Sequence, residues 1–175
     1  MRLVAGALGV GIALAMCAST GTAAAFEREW HLGAAAGIAD GSGLSLSPAL
    51  GVYAAYGLSD VFDARFEVTA RGYHFGSDEN PQAMAAAAGL VYKLDVLRWI
   101  PWAGVYAGYL GFFDPPRADL VFQQHDALIG FGAGLDYAVT RNFGLGASFR
   151  FDVPLSHTDV DVLDVMLRAE YRWGW

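Results

Sequence analysis

The last twelve residues, Asp164 to Trp175, constrain the fold more than any other stretch of the chain. Taken alternately they fall into two sets. One is Val165, Leu167, Ala169, Tyr171, Trp173 and Trp175; the other is Asp164, Met166, Arg168, Glu170, Arg172 and Gly174. Successive side chains of a strand point to opposite faces, so this segment predicts a strand with an apolar face ending in three aromatics and a second face carrying most of the charge. A soluble sheet rarely finishes on exposed aromatics with no polar tail after them. The final strand is therefore expected to lie against an apolar medium.

The other end reads as an export signal. Met1-Arg2 precedes an apolar run from Leu3 to Met16, and small residues follow up to Ala23-Ala24-Ala25. A charged start, a short apolar region and an A-x-A site are the parts of a cleavable secretory signal, and the run is too short to favour a spanning helix. The expected division is a signal peptide over 1–25 and one domain over 26–175, a mature chain of 150 residues. Cys17 is the only cysteine and lies in the signal, so neither disulfide nor thiol chemistry is expected in the domain. Leu14-Ala15-Met16-Cys17 is a poor lipidation box, because Met16 ill suits the position before the cysteine.

Without Arg2, ten basic residues face eighteen acidic ones, a net charge of −8. With no basic cluster to bind phosphates, nucleic acid is not an expected partner. After residue 25 no apolar run reaches the length of a spanning helix, so a membrane reading has to be a β one.

Eight alternating segments follow, separated by turn signals. They cover about Glu29 to Ile38, Ala49 to Leu58, Phe62 to Arg71, Met84 to Leu94, Pro101 to Phe113, Phe122 to Val139, Phe143 to Asp152, and the terminal strand. The third sets Phe62, Ala64, Phe66, Val68 and Ala70 against Asp63, Arg65, Glu67, Thr69 and Arg71. The fifth is ambiguous, being apolar on both faces. The second, fourth and sixth connections are short; the first, third, fifth and seventh are expected to be longer, and they are polar or contain proline. Trp30, Tyr56, Phe62, Tyr92, Trp102, Tyr137, Phe143 and Trp173 are expected near one end as an interfacial girdle. Such asymmetry of turns and aromatics is that of a transmembrane barrel. An Arg on a lipid face at midplane costs about 2–4 kcal/mol, so the face with Arg65 and Arg71 is expected to point inward.

On this architecture and on the terminal strand, the whole mature chain resembles the small OmpA/OmpX-type eight-stranded outer-membrane barrels. The resemblance implies an all-β, antiparallel, up-and-down transmembrane barrel in the bacterial outer membrane, reached after export through the periplasm. It implies outer-membrane lipid and lipopolysaccharide, and the barrel-insertion machinery, as partners. Tyr171, Trp173 and Trp175 would be the signal that this machinery reads. Members are mostly non-enzymatic structural or surface-interaction proteins; a few are narrow, porin-like channels or lipid-modifying enzymes. Members with a peptidoglycan-binding domain carry it after the barrel. Nothing is expected to follow Trp175, so wall anchoring is not carried over.

The inward charges expected are Asp63, Arg65, Glu67, Arg71, Asp126, Asp136, Arg150, Asp152, Asp164, Arg168, Glu170 and Arg172. They either line a polar conduit or pair and close it, and the narrow bore of eight strands favours closure. Arg65 or Arg71 is expected to meet an acid of the sixth to eighth strands. Gly130, Gly132 and Gly134 recur every second residue, which suits packing on one strand face and not a phosphate-binding loop. Ser156-His157 is a weak hint of a hydrolytic pair, since neighbours on a strand point apart. His31, His74 and His125 lack metal-ligand spacing. The outer loops hold Asp40, Asp78, Glu79, Asp114, Asp119, Asp159 and Asp161 against Arg117. Those acids are either simply solvated or recruit divalent cations to anionic lipopolysaccharide. No catalytic residue, metal or cofactor is expected. The rival architecture is a secreted lipocalin-like barrel with its apolar face inward.

Overall fold

A computed structural model of the chain describes residues 28–41, 44–72, 82–94, 96–112, 125–156 and 161–174. The expected signal peptide, Trp175, and most of the expected outer loops, including His74 and His157, lie outside them. Eight strands follow one another: β1 (Trp30–Gly41), β2 (Leu44–Gly57), β3 (Phe62–Gly72), β4 (Gln82–Lys93), β5 (Trp99–Phe112), β6 (His125–Ala138), β7 (Phe143–Pro154) and β8 (Val162–Trp173). Each pairs antiparallel with its neighbour in sequence, and β1 pairs with β8 to close a barrel. The closing seam runs from Trp30 opposite Trp173 to Gly41 opposite Val162.

Burial is inverted relative to a soluble protein. The interior holds Asp63, Arg65, Arg71, Lys93, Asp152, Asp164, Arg168 and Glu170, all buried, while Leu50, Val105 and Leu167 stand 63%, 61% and 72% exposed on the outside. An apolar belt around a charged interior is stable only where lipid meets the belt. The lipocalin-like alternative requires the opposite facing, and the burial pattern overturns it.

Two sequence expectations need correction. The connection between the first two strands is not long: β1 continues to Gly41 and β2 begins at Leu44, five residues before Ala49. Pro48 disguised this extension. It sits opposite Ile38, whereas the β2–β3 ladder begins only at Ala49 opposite Arg71. A proline is tolerated there because β2 has outrun its second neighbour and is edge-like. The second correction concerns the girdle. Trp30–Tyr56, Phe62–Tyr92 and Trp99–Tyr137 pair across strands with ring centroids 4.9, 5.3 and 4.8 Å apart. Trp102 is not among them: it is buried in the lumen, and Trp99 takes the rim position. The fifth strand is apolar on both faces, so its alternation could not say which tryptophan faced lipid.

Candidate functional site

The lumen is furnished by a division of labour among strands. Inward positions of β1 (Gly33, Ala35, Gly37), β4 (Ala83, Ala85, Ala87) and β6 (Gly130, Gly132, Gly134) are small. Those of β3, β7 and β8 carry long charged side chains, and β2 and β5 contribute Tyr53, Trp102 and Tyr106. Each of these aromatics faces a glycine in register: Tyr53 faces Gly33, Trp102 faces Gly134, and Tyr106 faces both Gly89 and Gly130. The pairing is steric. A Cβ on Gly134 would lie 2.7 Å from Trp102 Cε2, and one on Gly33 would overlap the Tyr53 ring.

Three tiers fill the bore. The first, at the end where β1 begins and β8 ends, centres on Glu170. Its Oε1 accepts from Arg172 Nε at 2.6 Å and contacts His31 Nδ1 at 3.0 Å, and its Oε2 accepts from the Tyr53 hydroxyl at 2.8 Å. Lys93 Nζ lies 2.8 Å from Asp63 Oδ2 and 3.3 Å from His31 Nε2. An ammonium can only donate, so Nε2 accepts, and the ring proton on Nδ1 goes to Glu170. Glu29 stands 3.9 Å from His31 Nε2.

The middle tier is cationic and aromatic. The Arg65 guanidinium lies 4.8 Å from the Tyr53 ring centre and 4.4 Å from that of Trp102. The Arg168 guanidinium contacts the same two rings at 4.3 and 4.6 Å. Ring quadrupoles attract such cations most strongly where water is excluded. Arg168 also has Glu170 Oε2 at 3.4 Å and Asp136 Oδ1 at 3.5 Å. Arg65 makes no ion pair among the described residues.

In the third tier Arg71 reaches both Asp152 (Nη2 to Oδ2, 2.6 Å) and Asp164, and Arg150 Nε donates to Asp152 Oδ1 at 2.8 Å. Glu67 is 3.5 Å from Arg150 Nη1. Asp126 points inward near the rim, where it accepts from the Ser156 hydroxyl at 2.8 Å. Ion pairs thus join β3 to β7 and β8 through Arg71. Arg65, three inward positions away along β3, is held by rings instead.

Five contributors were not anticipated: His31 and Lys93 in the first tier, and Tyr53, Trp102 and Tyr106 in the middle. The glycines opposite the aromatics were a readable signal for the last three. Among the described residues no group of three or more His, Cys, Asp or Glu side chains is arranged to hold a metal ion.

Two small cavities lie within the lumen among the described residues. One is bordered by Arg65, Asp136 and Glu170, the other by Glu67, Tyr106, Arg150 and Arg168, and Trp102 borders both. In each, only about 10 Å³ is open to the centre of a water-sized sphere. That is room for about one water.

No protein-family model matches the chain, and no curated protein matches it. Solved structures do. Neisserial surface protein A superposes with a TM-score of 0.63 at 20% identity, over 87% of this chain and 99% of that one. The N-terminal β-barrel domain of Pseudomonas aeruginosa OprF gives 0.62 at 16% identity, over 84% and 98%. The outer membrane enzyme PagL gives 0.53 at 15% identity, over 81% and 98%. The chain therefore has the fold of the small eight-stranded outer-membrane β-barrels, a fold that hosts both surface proteins and an enzyme.

Proposed function

We propose that this chain is a non-enzymatic outer-membrane barrel with a closed lumen, whose role is structural or one of surface interaction through its outer loops. The observation that carries the reading is the middle tier: Trp102, Tyr53, Arg65 and Arg168 occupy the bore, and the cavities beside them have room for about one water each. Ion pairs on both sides brace this tier. A hydrated solute needs a continuous path, and the tiers interrupt it.

The same reading takes residues 1–25 as a cleaved export signal. Tyr171, Trp173 and Trp175 are then the strand signal read by the insertion machinery, and outer-membrane lipid surrounds the belt. The similarity to a Neisserial surface protein supports a surface role. The acidic outer-loop residues favour contact with anionic lipopolysaccharide through divalent cations over direct contact with a polyanion. Similarity to PagL raises lipid modification as the rival. Against it, the Ser156 hydroxyl donates to Asp126, and His125 stacks on Tyr109 on the other face of β6.

Planar bilayers test the closed lumen. Purified protein is expected to give no stable single-channel steps, and reproducible steps would replace this reading with a narrow channel. Fractionation tests the location, where recovery in the soluble periplasmic fraction without detergent would end the membrane reading. Lipid A from expressing cells should keep its mass; a mass change abolished by Ser156→Ala would establish the enzyme instead.

A further inference from the structure

On the outside of the barrel a groove runs along β1 and crosses the closing seam. Its floor is Ala34 and Ala36 on β1, with Ala169 on β8 opposite Ala34 in register. Its walls are bulkier. Val52 and Leu50 on β2 stand opposite Ala34 and Ala36, and Leu167 on β8 flanks Ala36 from the other side. Leu50 and Leu167 are 63% and 72% exposed above a floor of single methyl groups. A second recess continues the groove toward the aromatic girdle: it shares Ala34, Val52 and Ala169 with the first and ends at Phe143 and Tyr171. The two parts hold 530 and 340 Å³, volumes in the range of about 300–1,000 Å³ typical of small-molecule sites.

We propose that this groove holds one acyl chain of a phospholipid from the leaflet on the girdle side, with its phosphate drawn to Arg141 and Arg28. The inference rests on the membrane reading above, in which this end is periplasmic, and adds a ligand to it. The length fits. Ala36 to Leu32 is four residues, about 14 Å at the rise of a strand, and one leaflet's hydrocarbon is about 15 Å deep. Polarity changes where a headgroup would lie. Arg141 comes two residues before Phe143 and Arg28 two before Trp30; both arginines are exposed, and these strands flank the end of β8. Guanidinium forks match phosphate oxygens, and girdle aromatics sit at headgroup level. A second copy of the chain fits less well. A symmetric contact sets groove against groove and leaves the recess unfilled, whereas a flexible acyl chain fills it.

Native mass spectrometry of the mature protein, released from vesicles of phosphatidylglycerol and phosphatidylcholine, identifies the occupant. One retained phospholipid per barrel is expected. Ala34→Phe fills the floor from outside without touching the lumen; it should fold and lose the lipid. Val105→Phe, on an exposed face of β5, should fold and keep it. Arg141→Gln should raise the lipid fraction needed for half occupancy about fivefold. A folded barrel that retains no lipid overturns the proposal, as does equal retention in Ala34→Phe and Val105→Phe. A dimer that Ala34→Phe abolishes overturns it in favour of a second copy. Half occupancy unmoved by Arg141→Gln overturns it too, by removing the headgroup contact that sets the leaflet. Every arm uses membrane-inserted barrel, so these failures are distinct from recovery in the soluble fraction, which would end the membrane reading itself.

Discussion

Arg71 on β3 grips Asp164 on β8 across the lumen at two points: Nε donates to Oδ1 at 2.9 Å, and Nη2 donates to Oδ2. The planar fork matches the carboxylate, and the same Nη2 holds Asp152 Oδ2 at 2.6 Å. Removing Arg71 leaves two carboxylates buried and repelling. Arg71→Ala is expected to lower the stability of the folded barrel by about 3–5 kcal/mol, and Arg71→Lys by less, since the charge stays while the fork is lost. Urea titrations in lipid vesicles measure this against Arg98→Ala in an exposed turn, whose midpoint should barely move. Equal midpoints for Arg71→Ala and Arg98→Ala would mean that lumen water screens the third tier.

Arg65 should behave differently although it is as deeply buried. It is 4% exposed and held by the Tyr53 and Trp102 rings, with no ion pair among the described residues. A hydrophobe of similar length loses the cation–π contacts and also removes the desolvation cost of an isolated charge, leaving no partner stranded. Arg65→Met is expected to change stability by less than about 1.5 kcal/mol in either direction. Arg71→Met should cost at least twice as much. If both variants lose the same stability, Arg65 has an ionic partner of its own.

Gly37 lies on the closing seam, opposite Met166. A Cβ there would overlap the carbonyl oxygen of Val165 and come within 2.7 Å of Met166 Cα, both backbone atoms of β8 that cannot swing aside. At Gly51 the nearest atom would be Thr69 Oγ1 at 3.5 Å, an ordinary contact. Gly37→Ala should therefore reduce the fraction that folds to the compact, heat-modifiable form on gels, and Gly51→Ala should leave it near wild type. Equal folding yields would show that β1 and β8 separate enough to admit a methyl group.

Where charge marked one face of a segment, the sequence was legible. Arg65, Glu67, Arg168 and Glu170 alternate with apolar neighbours, and burial follows that alternation along β3 and β8. β5 carried no such mark. Trp99 at the rim and Trp102 in the lumen are chemically alike, and only the ladder to β6, with Gly134 opposite Trp102, separates them. Pairing partners were less legible than facing. Which acid Arg71 meets depends on barrel stagger, a property of all eight strands together and of no single segment. His31 and Lys93 were missed for a related reason: each is a lone polar residue near a strand end, and only closure brings them within 3.3 Å.

If the middle tier closes the bore, thinning it should open one. Trp102 and Tyr53 supply its bulk, and both are buried. The double variant Trp102→Ala, Tyr53→Ala removes two rings and leaves the guanidiniums without their stacking partners. It is expected to give small conductance steps in planar bilayers, favouring anions because Arg65 and Arg168 remain. Silence from a variant shown to be folded would place the barrier in the ion-pair tiers instead.

The terminal strand offers the sharpest separation of packing from assembly. Tyr171 and Trp173 point outward, 53% and 39% exposed, with ring centroids 6.0 Å apart, and Trp173 pairs with Trp30 across the seam. They face outward and stack on each other, away from the lumen. Replacing both with serine costs the barrel little interior packing, although it removes two interfacial anchors. If the strand is also read by the insertion machinery, Tyr171→Ser with Trp173→Ser should sharply lower the assembled fraction in cells. The same protein, refolded from urea into vesicles, should still recover most of its folded yield. Deleting Trp175 should act in the same direction, and Ser156→Ala should leave both measurements unchanged. A variant that fails equally in cells and in vesicles would show that the two aromatics serve stability alone. Normal assembly in cells would remove the strand's role as a signal.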